Sequence, residues 1–320
     1  MKKLFLLLMS IVFAFSLSTL KPYKFYRYNY YISKVAFNKK YLIVGLENGH
    51  ILINDFKTNK KLSEITLPKI HDFMGNLMAM PIYSLDISPN GENLLILTQG
   101  ENATRILSIY NFKTKKITKY FQSKKLFMQA RYINNNEIFL ALLSDEVLLY
   151  NLKTKKFLYD NQIGNYVFST FALNENKTKA VIGDESGVAH IVNTQTGKKI
   201  EDLMGYNKNK TIALDFVKNY VINGSDDKRV AIYDINTKNM VYKMDDKFLP
   251  YAVALSPKLD KFALQYDENN NILVSTIYGK PLFLLKGHQM PLINMKFLNE
   301  NTIISYSPSE IIIWKLKEKK

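Results

Sequence analysis

Cysteine is absent from the 320 residues. Thiol nucleophiles, thiolate-bound metals, iron–sulfur clusters, covalent haem attachment and disulfides are therefore all excluded. Arginine is scarce, occurring only at Arg27, Arg105, Arg131 and Arg229, yet the formal net charge is +16. The excess is lysine, spread through nearly every polar turn of a chain that is also rich in Asn, Ile and Tyr. A net charge of this size raises nucleic acid or a membrane surface as partners. A diffuse distribution reads instead as solvated turns, and nucleic acid is not expected as a partner. Histidine occurs four times, at His50, His71, His190 and His288, with no partner at metal-ligand spacing, and no HExxH, P-loop, GxSxG or GxGxxG run is present. No catalytic residue, metal ligand or bound cofactor is expected.

Long apolar runs are also missing, with one exception. Leu4–Phe15 is interrupted only by Ser10, follows Lys2 and Lys3, and leads into Ser16-Leu17-Ser18, with small residues at the −3 and −1 places of a cleavage site. The run is shorter than the roughly 20 residues a membrane-spanning helix needs. Residues 1–18 are expected to be a Sec-type signal peptide, with 19–320 a single exported domain in the periplasm and no integral span after cleavage. An uncleaved anchor is the alternative.

What the chain has in quantity is a repeat. DFKTNKKL, NFKTKKI, NLKTKKF, NTQTGKKI and DINTKNMV place Thr58, Thr114, Thr154, Thr196 and Thr237 at steps of 56, 40, 42 and 41. A period of about 40–45 residues built from short alternating strands marks a β-propeller with one four-stranded blade per repeat. Third strands are expected to end at Asp55, Asn111, Asn151, Asn193, Asp234, Thr276 and Lys315, and inner strands to open near Ile32, Ile82, Phe127, Val167, Ile212, Tyr251 and Leu292. Seven blades follow, in an all-β fold. Only five residues lie beyond Lys315, so the seventh blade needs its outer strand from elsewhere, because an open edge invites pairing with other chains. Tyr23–Tyr31 is the spare strand expected to close the ring.

One repeat is about fourteen residues too long, and the excess is PKIHDFMGNLMAMP, from Pro68 to Pro81. An insertion of that length in a tight repeat is usually functional or disordered, and Phe73, Met74, Leu77, Met78 and Met80 argue against disorder. These five residues are the candidate partner-binding site, since methionine adapts to a partner's shape. His71 with Met74, Met78 and Met80 would alternatively suit Cu(I). Simple packing over the propeller face is the third reading.

Gly287-His288 followed by Trp314, together with NGSDDKRVAIYD from Asn223, resembles WD-repeat units. In that family a histidine, a Ser/Thr, a turn aspartate and a tryptophan form a hydrogen-bonded lock within the blade. The resemblance implies a structural role for Ser225 and Asp227 in blade five and for His288 and Trp314 in blade seven. In neither blade is the set complete, because Tyr206 and Tyr233 replace His and Trp in the former, and Pro308 and Ser309 replace the aspartate in the latter. The chain is identified as a divergent bacterial WD-repeat propeller. More narrowly it is similar to NapL-type exported accessory propellers of periplasmic nitrate reductase systems. That likeness implies a role beside nitrate reductase or its electron donors, in maturation or electron supply, without a cofactor of its own; a monomeric, non-catalytic scaffold contacting another periplasmic protein is expected. Assembly of envelope or outer-membrane proteins is a second scaffold role, and a cofactor-binding or enzymatic propeller the third possibility.

Overall fold

The computed structural model describes residues 17–317. Seven blades, each built on four antiparallel strands, follow one another around a ring, and the sheet of blade six carries a fifth, parallel strand. Blade one is Ile32–Phe37, Tyr41–Leu46, His50–Asp55 and Lys61–Thr66; blade two is Ile82–Ile87, Asn93–Gln99, Arg105–Asn111 and Ile117–Ser123. Blade three is Phe127–Asn134, Glu137–Leu142, Glu146–Asn151 and Lys156–Gln162; blade four is Phe168–Leu173, Lys179–Asp184, Ala189–Asn193 and Lys199–Leu203. Blade five is Thr211–Val217, Tyr220–Ser225, Arg229–Asp234 and Asn239–Asp245; blade six is Val253–Leu255, Lys261–Gln265, Ile272–Thr276 and Pro281–Leu285. Blade seven is Asn294–Asn299, Thr302–Tyr306 and Glu310–Lys315, with Lys24–Arg27 as its outer strand. All seven third strands end at the residue the repeat predicts.

In blades one to four the repeated Asx-x-x-Thr accounts for where the strand ends. Asp55 Oδ1 accepts from the Thr58 amide at 2.8 Å, and Asn111, Asn151 and Asn193 accept from the amides of Thr114, Thr154 and Thr196 at 2.9–3.0 Å. The next residue, Asn59, Lys115, Lys155 or Gly197, takes the left-handed conformation, and the partner strand shifts register by one. Asx side chains that bond backbone two or three residues on are a standard means of making such a turn.

The core is divided rather than central. Each large apolar cluster is shared by two consecutive blades: Ile43, Ile51 and Ile96 join blades one and two, while Phe139, Phe171 and Val192 join blades three and four. The cluster of Ile304, Tyr306 and Ile311 with Ile32, Val35 and Val44 joins blade seven back to blade one and closes the ring.

Closure uses the N-terminal segment, in a shorter form than expected. Instead of a continuous strand over 23–31, Lys24–Arg27 pairs antiparallel with Glu310–Ile313, and the chain then turns so that the Ile32 amide bonds the Pro308 carbonyl at 2.7 Å. A second clip was not legible in the sequence. Ser18–Leu20 runs parallel to Phe283–Leu285 of blade six, with Leu17 packed on the cluster between blades five and six and Leu20 on that between six and seven. Residues 1–16 of the expected signal peptide lie outside the described residues. Leu17 and Ser18, at the expected cleavage site, belong to this clip.

Candidate protein-contact site

The Pro68–Pro81 insertion is an ordered hairpin. Ile70–His71 and Leu77–Met78 pair antiparallel, Ile70 opposite Met78 and His71 opposite Leu77. Asp72 builds the turn: its Oδ1 accepts from the amides of Met74 at 2.9 Å and Asn76 at 2.8 Å, and Gly75 supplies the positive φ of 84° that the tip requires. These bonds to Asn76 and Met74 outweigh burial and hold the Asp72 carboxyl below its usual range. At the side, the Glu101 carboxylate of the blade-two turn receives the His71 amide at 3.1 Å and contacts His71 Nδ1 at 3.1 Å. At the root, Ile70 and Met80 are buried.

The five candidate contact residues therefore separate. Phe73 is 99% exposed, Met74 73% and Leu77 58%, while Met78 is half-buried. Met80 is a correction. It lies 6% exposed, because the chain returns there to the ring, two residues before the inner strand of blade two begins at Ile82. Of the residues that would suit Cu(I), Met74 is exposed, Met78 half-buried and Met80 buried, and His71 Nδ1 lies 3.1 Å from Glu101 Oε1.

The central channel, a cavity of about 420 Å³, has a different character. Its polar side chains join neighbouring inner strands. Asp86 accepts the Tyr132 amide at 2.8 Å, Gln129 holds the Phe171 amide at 3.0 Å, and Asp215 accepts the Leu255 amide at 3.0 Å and the Lys296 ammonium at 2.6 Å. Burial pushes the Asp86 carboxyl up, against the pull of Arg131 and Lys177. These joints were missed in the sequence, although a signal was present. SLDI and ALDF each place an aspartate inside an apolar strand at corresponding positions of blades two and five.

The lock in blade seven is complete, contrary to expectation. Trp314 Nε1 donates to Ser305 Oγ at 2.7 Å, Ser305 lies 2.6 Å from His288 Nε2, and His288 Nδ1 lies 3.0 Å from Glu310 Oε1. The acid is Glu310, at the head of the third strand, whose longer side chain reaches what Pro308 and Ser309 cannot. Burial would raise its carboxyl, but bonds from His288, Ser309, the Gln289 amide and Ser307 prevail and hold it at about 2. Blade five is built otherwise. Ser225 donates to the Asn209 carbonyl at 2.7 Å, and Asp227 accepts the amides of Lys208 at 2.9 Å and Arg229 at 3.1 Å. Tyr206 does not replace the histidine; its hydroxyl bonds Asp245 at 3.0 Å and its ring lies under Arg229. In register, Asn223 rather than Ser225 corresponds to Ser305, since both face the fourth residue from the end of the third strand.

One cluster that sequence reasoning did not find lies between blades three and four. Asp145, Asp184 and His190 bring a carboxylate oxygen, a carboxylate oxygen and an imidazole nitrogen within 4.8 Å of one another, all buried. His190 Nε2 is 3.2 Å from Asp184 Oδ2, and its Nδ1 is 2.6 Å from Asp202 Oδ1. Burial lowers the His190 imidazole, but Asp184 and Asp202 together raise it. Burial, with the Asp184 charge, pushes the Asp145 carboxyl up to about 7. His190 stands fourth from the end of its strand, whereas His50 begins its own and pairs with Glu64 at 2.5 Å.

No family model matches the chain, and no curated protein matches it. A chain from the crystal structure of a mitotic checkpoint complex is similar in fold, with a TM-score of 0.76 at 12% identity, covering 94% of this chain and 93% of that one. At that identity the likeness establishes the seven-bladed, WD-repeat-like fold alone. Among the described residues no helix is long and apolar enough to cross a membrane.

Proposed function

We propose that the protein is a non-catalytic, exported scaffold that binds a periplasmic protein partner through the 68–81 hairpin. The observation carrying this reading is the presentation of Phe73, Met74 and Leu77 in solvent by a hairpin whose turn, side and root are all fastened. Several large apolar side chains presented to water by one ordered hairpin are the kind of apolar feature that marks an interaction site. Fully burying each of these side chains contributes roughly 1.5–3 kcal/mol, so the three together approach the roughly 8 kcal/mol of a micromolar contact before ordering costs are subtracted.

The lysine-led apolar segment at the N-terminus supports export. The resemblance to NapL-type accessory propellers supports nitrate reductase, or its electron donors, as the partner, with a role in maturation or electron supply. The test is a periplasmic pull-down comparing the wild type with a Phe73→Ser, Met74→Ser, Leu77→Ser triple variant, which leaves buried Ile70 and Met80 in place. Recovery of reductase or electron-donor subunits by the wild type, and their loss from the variant at unchanged melting temperature, is the expected result. Equal capture by both proteins would refute the contact site, and capture only of envelope-assembly proteins would refute the redox partner.

A further inference from the structure

We propose that Asp145, Asp184 and His190 form a binding site for one divalent transition-metal ion of the zinc type, stapling blade three to blade four. Asp145 comes from the turn between the second and third strands of blade three. Asp184 ends the second strand of blade four, and His190 lies in its third strand. One imidazole nitrogen and two carboxylate oxygens are a donor set that zinc-type ions accept.

Two observations point to a ligand beyond the clustering itself. The first is Asp145, which is wholly buried and whose two carboxylate oxygens make no hydrogen bond of ordinary geometry, the Gly164 N–H being the one backbone donor near enough to act on it. A buried carboxylate so poorly supplied with donors is costly unless a cation meets it. The second is Gly164, in the loop that leads into blade four. A Cβ there would lie 2.5 Å from Asp145 Oδ2, 3.0 Å from Asp184 Oδ2 and 3.3 Å from His190 Nε2. All three donor atoms thus press on the same side of the Gly164 Cα, where any side chain would drive them apart, and an ion held by them would lie among the three donors rather than at the Cβ position itself. Gly164 is not among the glycines with positive φ, so its backbone does not demand glycine; the space does.

The surroundings orient these donors. Asp202 Oδ1 holds His190 Nδ1, the carboxylate–histidine arrangement that fixes an imidazole with its other nitrogen toward a metal. Lys199 Nζ braces Asp202 at 2.9 Å. Asp184 Oδ1 is committed to the Ser186 amide at 2.8 Å and hydroxyl at 2.5 Å, which turns Oδ2 inward. The alternative arrangement is an acid pair, in which Asp145 and Asp184 share one proton beside the imidazole.

The test is titration of the full-length purified protein, stripped with EDTA, with Zn²⁺ alone, followed by calorimetry and melting temperature, and with Co²⁺ for its visible absorption. One equivalent of Zn²⁺ bound, a melting temperature raised by several degrees, and a Co²⁺ spectrum showing nitrogen and oxygen ligation are expected. Asp145→Asn, close to isosteric, should fold and lose binding at least tenfold, and Gly164→Ala should lose it by driving the donors apart. His190→Gln serves as a second variant if either fails to fold. Absence of stoichiometric Zn²⁺ binding to the wild type would overturn the proposal. So would undiminished binding by Asp145→Asn, or a stabilised Asp145→Asn with a metal-free wild type, the result that a shared proton predicts.

Discussion

Glu310→Gln is the sharpest probe of the blade-seven lock. The carboxyl falls from its ordinary 4.5 to about 2, and a difference of about 2.5 pKa units corresponds to roughly 3 kcal/mol at about 1.4 kcal/mol per unit. Because the folded value is depressed, the stabilisation is fully present above the unfolded value and is lost as pH falls toward the folded one. Linkage then removes about 1 kcal/mol by pH 4 and about 2 kcal/mol by pH 3. The glutamine keeps the shape but not the charge, so at pH 7 the variant should unfold about 3 kcal/mol more easily, a large share of the roughly 5–15 kcal/mol typical of a native domain. Urea denaturation read by fluorescence is the assay, since Trp314, the sole tryptophan, sits in the lock. A His288→Ala cycle in both backgrounds should show coupling of about 1–3 kcal/mol. A variant as stable as wild type at pH 7, or a difference that does not shrink between pH 7 and pH 4, would refute the account of Glu310.

Deleting residues through Arg27 should uncover the edge at Glu310–Ile313 and lower the melting temperature by more than about 5 °C, with aggregation seen by light scattering; an unchanged monomer would place closure elsewhere. Met80→Ser should destabilise by about 2–4 kcal/mol, as loss of a buried methionine does, whereas Phe73→Ser should change stability by less than about 0.5 kcal/mol; chemical denaturation separates the two. Asp215→Ala leaves the Leu255 amide and the Lys296 ammonium without their acceptor and should cost about 2–4 kcal/mol by the same measurement. Export is checked by mass spectrometry of the periplasmic fraction. A mature chain beginning near residue 19 keeps Thr19 and Leu20 for the parallel clip, and intact Met1 would contradict cleavage.

The strand boundaries were legible because they are written locally. In blades one to four, Asx at the end of the third strand bonds the threonine amide three residues on, so the turn, and with it the end of the strand, follows from five adjacent residues. The number of blades and the want of an outer strand for the seventh then follow from counting. What the period does not carry is contact across blade boundaries. Asp145 and His190 are 45 positions apart, and only the packing of blade four against blade three brings them together beside Gly164. Glu310 was overlooked for a similar reason: the lock's acid was sought at one turn position, while the length of a glutamate side chain lets another position serve. The hairpin shows the division within a single segment. Composition marked Phe73, Met74, Leu77, Met78 and Met80 alike. Tertiary structure buried Met80 where the chain rejoins the ring, and left Phe73, Met74 and Leu77 in water, because only the root of a hairpin can reach a core that lies between blades.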